Sequence, residues 1–178
     1  MRTLQLTEFA KARISWQPRP ALEFEAEGQL TGETAASGPG RPRGFVSVEA
    51  FIPLGARADH GLLGVVYDPG RSGQLGTVVR YCSGGGERWQ ESLAGSIDDV
   101  RVGLPKEYSK AVLEGLLSGL PEPPPGSLTI QEAAQGPIGS SPALFRALAR
   151  AAAGLLFLNE TNMMDDALAE RLRSLLNY

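Results

Sequence analysis

Gly95-Ser-Ile-Asp-Asp-Val-Arg-Val-Gly-Leu-Pro-Lys-Glu-Tyr-Ser-Lys-Ala-Val-Leu-Glu-Gly115 changes its periodicity partway along, and that change is the clearest structural signal in the chain. Ser96 to Val102 has the composition of a short strand. After Pro105, the segment Lys106 to Ser118 carries Tyr108, Val112 and Leu116 at i, i+4 and i+8, with Ala111 and Leu113 beside them, which predicts an amphipathic helix. Pro105 suits a helix's first turn, where a missing N–H costs nothing, and Glu107 complements the positive helix end. A strand leading into a helix, with Tyr108 and Val112 turned toward a sheet, predicts a layered α+β domain.

Upstream, the chain alternates as half-buried strands do. Ala21 to Glu27 sets Leu22, Phe24 and Ala26 on one face and carboxylates on the other. Phe45 to Leu54 sets Val46, Val48, Ala50 and Ile52 against Phe45, Ser47, Glu49 and Phe51. The glycine-rich stretch Thr31 to Gly44 then reads as a long hairpin loop between them, with one sheet face buried and one wet. Arg13 to Gln17, ahead of Pro18 and Pro20, suits an edge strand. Leu62 to Tyr67 and Thr77 to Cys82 read as a second hairpin around Asp68 to Gly76. Downstream, Ser127 to Ala133 reads as a strand and Pro142 to Leu158 as a central, largely apolar helix. Met163 to Leu176 reads as a last helix, with Asn162 at its N-cap, Asp165 near its start, Arg171 and Arg173 near its end. Strands first, then helices with a strand between, favour one mainly antiparallel sheet with helices on one face.

Composition bounds the function. The chain has 178 residues, 42% hydrophobic and 21% charged, enough for one domain with a substantial core. A net charge of -3 argues against nucleic-acid binding by bulk electrostatics, so any RNA contact must be local. Cys82 is the single cysteine, which rules out an intrachain disulfide and a cysteine zinc cluster and suits the cytoplasm. The longest apolar stretch, Ala147 to Leu158, is interrupted by Arg150 and falls short of the roughly 20 residues a membrane helix needs. No Gly-x-x-x-x-Gly-Lys-Ser/Thr phosphate loop occurs, so GTP hydrolysis of the usual type is not expected. No cofactor or metal is implied.

Pro105, Lys106, Glu107, Tyr108, Ala111, Val112 and Gly115 resemble the strand-to-helix junction of elongation factor G domain IV. Phe24-Glu-Ala-Glu-Gly-Gln-Leu-Thr31, a Gly/Arg-rich loop, and Phe45-Val-Ser-Val-Glu-Ala-Phe-Ile-Pro-Leu54 are similar to that family's strand pair around a glycine-arginine loop. Ser140-Ser141, opening the Pro142 helix, resembles the family's paired serines. The resemblance covers about residues 13 to 156 and implies a two-layer α/β sandwich with a left-handed β-α-β crossover. Residues 1–160 would form this domain, with an insertion at about 55–91, and residues 161–178 a C-terminal helix. It further implies a non-enzymatic module, without a GTPase, that touches RNA or a ribosomal surface through tip loops containing Arg41, Arg43, Gly139, Ser140 and Ser141. One departure stands against decoding-centre activity: Gln135-Gly-Pro-Ile-Gly139 occupies the place of the family's histidine and acidic residue.

Other readings attach to the same residues. Gly136 to Ala143 also resembles the phosphate loop of GHMP-type small-molecule kinases, since a glycine turn at a helix start exposes N–H groups to an anion; the simpler reading makes Ser140 or Ser141 an N-cap. Arg41 and Arg43 alternatively form a solvated loop. His60 beside Asp59 reads as a solvated loop residue, and Cys82 as a semi-buried structural thiol. Asp98-Asp99 and Asp165-Asp166 need no acid–base role. Leu168, Leu172, Leu175 and Leu176 lie beyond the family match and suggest a homodimer helix; folding back over the chain's own sheet would use the same stripe.

Overall fold

Two long strands, β4 (Gly44–Leu54) and β5 (Arg57–Pro69), pair antiparallel across a tight turn at Gly55 and form the middle of the sheet. In this computed structural model, which describes residues 1–83, 85–158 and 163–176, the chain is a mixed α/β protein. The remaining strands are β1 (Arg2–Gln5), β2 (Lys11–Ser15), β3 (Gly28–Ala35), β6 (Gln74–Tyr81), β7 (Arg101–Val102) and β8 (Gly126–Gln135). The sheet has eight strands in the order β1-β2-β4-β5-β8-β6-β3, with β7 pairing the end of β8. Every pairing is antiparallel except β6 with β8. That parallel pair needs a crossover, and α1 (Ser109–Ser118) lies within it.

The helices cover one face. Val46, Val48, Ala50 and Ile52 of β4 meet Phe145, Leu148 and Ala152 of α2 (Pro142–Leu155) in the main core. Tyr108, in a 3-10 turn over Lys106–Tyr108, stacks on Phe145 with ring centroids 5.0 Å apart. The helix register expected from Tyr108, Val112 and Leu116 is the observed one, all three being buried. A Cβ on Gly115 would overlap the Arg146 carbonyl, so glycine is what lets α1 approach α2 this closely. α3 (Asp165–Leu176) folds back over the same core through Leu168, Ala169, Leu172 and Leu176. Arg150 Nε donates to the Leu175 carbonyl at 2.7 Å, and Arg2 donates to the Met163 carbonyl and pairs with Asp165. The apolar stripe that suggested a dimer helix is therefore spent inside the chain. Asn162, expected as its N-cap, lies outside the described residues.

Several strand expectations change. Ala21 to Glu27 is not a strand: Pro20–Leu22 forms a 3-10 turn, and the strand starts at Gly28 and runs into the expected loop. β3 does not form a hairpin with β4 but pairs with β6 at the far edge. β5 and β6 do not pair either, because β8 enters between them. Residues 55–91, expected as an insertion, supply β5, a central strand, and β6. Local alternation identifies strands, but pairing is decided by which apolar faces the helices cover.

The opposite face is not uniformly wet. Leu22, Leu62, Trp89, Ala94, Val100, Val102 and Ala134 form a second, smaller apolar cluster there, joined by Phe24 and Phe51. The expected strand 96–102 keeps only Arg101–Val102 in the sheet, and residues 87–100 before it fold back over this face. Among the described residues no helix is long and apolar enough to cross a membrane.

Candidate functional site

Arg41 and Arg43 sit in the loop entering β4, and both are exposed. The Arg41 guanidinium lies 5.5 Å from the centre of the Phe157 ring, whose edge-to-face contact with Tyr67 at 5.0 Å fixes it in place. Arg43 Nε pairs with Asp68 Oδ1 at 2.9 Å, yet 72% of its side chain stays accessible. With Pro42, Gly44 and Leu156 these residues line a shallow cavity of about 260 Å³. The aromatic support and the proline limit the entropy lost when the arginines engage a partner.

Gly139, Ser140 and Ser141 lie elsewhere. They lead into α2, whereas the Arg41–Gly44 loop abuts Leu156 past its C-terminal end. Fourteen residues of helix at about 1.5 Å each put the two groups roughly 20 Å apart. The two loops expected to share one tip thus flank opposite ends of α2. The serine turn is also already satisfied. Ser141 Oγ accepts from the Leu144 N–H at 3.2 Å, the capping role anticipated for it. Ser140 Oγ donates to the His60 carbonyl at 2.6 Å and accepts from the Gly136 N–H at 3.0 Å. The N–H groups of Gly139 and Ile138, which a bound phosphate would take, donate to the buried Asp98 carboxylate at 2.8 and 3.3 Å. A side chain on Gly136 would overlap that carboxylate, so the glycine turn is fitted to Asp98. Asp99 pairs with Arg88 and Arg101.

The polar residues that sequence reasoning missed lie on the sheet face away from the helices. Glu49 of β4 is fully buried and its Oε1 faces His60 Nε2 at 3.0 Å. The same oxygen accepts the Leu93 N–H at 2.6 Å, and Arg13 approaches Oε2 at 3.2 Å. His60 is a buried β5 residue, not the solvated loop residue expected. Beside this group, Glu132 of β8 is also fully buried; it accepts the Arg19 N–H, while the Arg19 guanidinium lies 3.7 Å from Oε2 and donates to Ser47 Oγ at 3.2 Å. Burial pushes the Glu132 carboxyl above the usual glutamate range despite Arg19, and burial lowers Arg19 despite Glu132 and Glu49. A bulge between Gly64 and Val65 shifts the register so that Glu132 stands opposite Gly64, and a Cβ at Gly64 would come within 2.8 Å of the Glu132 Cβ. The strict alternation of β4 carried the signal for Glu49, which shares a face with Phe45 and Phe51; the bulge left no such signal for Glu132.

Cys82 is buried and free, as expected of a structural thiol. It lines an open cleft of about 530 Å³ with Phe24, Glu23, Glu25, Glu27 and Glu87. Among the described residues no group of His, Cys, Asp and Glu is arranged to hold a metal ion. No protein-family model and no curated protein matches the sequence.

Proposed function

We propose that this protein is a non-catalytic binding module of the elongation factor G domain IV type, contacting structured RNA or a ribosomal surface through Arg41 and Arg43. The observation that carries the reading is the exposure of both guanidinium groups on a proline-stiffened loop, one of them braced by Phe157. The mixed sheet with helices on one face and the turn at Lys106–Tyr108 leading directly into α1 support the family likeness. Because Ser140, Ser141 and the N–H of Gly139 are engaged internally, the contact surface narrows to the arginine loop. With net charge -3, affinity would rest on a few local phosphate contacts.

Cosedimentation with ribosomal subunits at moderate salt tests this. The wild-type chain is expected to pellet with subunits and to be released as salt rises. Arg41→Ala with Arg43→Ala is expected to weaken association about tenfold or more, since each lost bidentate phosphate contact is worth about 1–3 kcal/mol, and to leave thermal stability nearly unchanged because both side chains are exposed. Binding by the double variant equal to wild type would remove the arginine loop from the interface, and no association by the wild type would overturn the ribosome reading.

A further inference from the structure

We propose that residues 87–100 form a strap that swings off the sheet as a unit while the rest of the fold stays intact, with Glu49 as its latch. The strap is closed on itself at its base, where Val102 N–H donates to the Glu87 carbonyl at 2.9 Å and Trp89 N–H to the Val100 carbonyl at 2.8 Å. Its body is held to the sheet by charged side chains. Glu49 Oε1 takes the Leu93 N–H, Arg13 donates to the Glu91 carbonyl at 2.8 Å, and Asp98 grips the turn before α2. Both sheet-side anchors belong to one ion pair, since Arg13 also pairs with Glu49. Loss of the Glu49 charge therefore loosens two of these three hydrogen-bonded attachments together.

The apolar side of closure is one local cluster, with the Arg19 guanidinium 5.4 Å from the Trp89 ring centre beside it. Trp89, Ala94 and Val100 pack on Leu22, Leu62 and Ala134 in a cluster separate from the main core. Beneath the strap, Arg13 Nε, Arg19 Nε and His60 Nδ1 are buried without a hydrogen-bond partner. Such groups favour a state that admits water. A local apolar cluster distinct from the main core, lying over unsatisfied polar atoms, is the arrangement from which a segment opens below the free energy of global unfolding. Opening uncovers Arg13, Glu49 and His60 together, converting a closed sheet face into a charged one, frees Arg19 from the Trp89 ring, and releases the Asp98 grip on Ile138 and Gly139.

Native-state hydrogen exchange on the full chain tests this without any variant. The amides of Trp89 and Leu93 are expected to exchange at least about tenfold faster than hydrogen-bonded amides of β5 and α2. Exchange of all these amides at one rate would overturn the proposal, because the strap would then open only when the protein unfolds. In Glu49→Gln the strap amides are expected to accelerate about tenfold further relative to those of β5 and α2. An equal acceleration of strap and core would also overturn it, by assigning Glu49 to global stability rather than to the latch.

Discussion

Glu132 shows what a single buried side chain can contribute and when. Its folded-state carboxyl titrates above the ordinary glutamate value because burial disfavours the charged form more than Arg19 restores it. For a group whose folded value is raised, the associated stability is fully present below the unfolded value of about 4.3 and is lost as pH rises through the folded value. Glu132→Gln removes this titration, so the variant is expected to gain stability relative to wild type as pH rises above about 4; denaturant melts at several pH values measure it. A difference that does not vary with pH would show that burial leaves the carboxyl unshifted. Tyr108 acts through packing instead. It is 7% exposed, stacks on Phe145 and donates its hydroxyl to the Ser140 carbonyl at 3.3 Å, tying α1 to the turn before α2. Tyr108→Ala is expected to cost about 3 kcal/mol or more, and urea denaturation yielding under about 1 kcal/mol would contradict this packing. Both residues are plain in the sequence, but only Tyr108 was legible there. Its helical spacing predicted burial, whereas the burial of Glu132 arises from a bulge and from the Arg19–Glu23 segment, more than 100 residues earlier in the chain.

Among the elements, α3 forms within two residues of its expected bounds, and what the structure adds is where its stripe goes. Its leucine stripe is one that either a partner chain or the chain's own core can bury, and periodicity alone does not distinguish them. Leu168, Leu172 and Leu176 pack into the same core as α2, with Arg150 and Arg2 holding the two ends of the helix. Ending the chain after Leu158 should therefore cost stability: three leucines at roughly 1.5–3 kcal/mol each contribute about 4.5–9 kcal/mol, and a net loss of about 3 kcal/mol or more is expected once the ordering entropy of the helix is subtracted. Light scattering and denaturant melts on full-length and shortened chains check it: a shortened chain with unchanged midpoint and half the particle mass would restore the dimer helix. The strand elements show a similar division. β4 and β8 begin and end within about two residues of their expected bounds, because alternation and flanking glycines are local signals. β1 was not anticipated at all, since its four residues pair only with β2 and gain their burial from Leu4 meeting the main core.

At the scale of the whole molecule, helices α1, α2 and α3 bury their stripes on one shared sheet, so heating should give a single main calorimetric transition. Two well-separated transitions would show that β3 and β6, at one edge, and β1 and β2, at the other, belong to different folding units. Local patterning alone established the helix after Pro105, the apolar face of β4, the serine cap of α2 and an exposed arginine loop, because each depends on residues within a few positions of one another. Tertiary structure alone decided that β8 enters between β5 and β6, that β3 crosses to the far edge, that the two candidate loops flank opposite ends of α2, that Glu49 and His60 lie under residues 87–100, and that Glu132 lies under residues 19–23. These depend on contacts between residues far apart in the chain, where many pairings satisfy the same alternation and only the joint burial of helices, sheet and charges selects one.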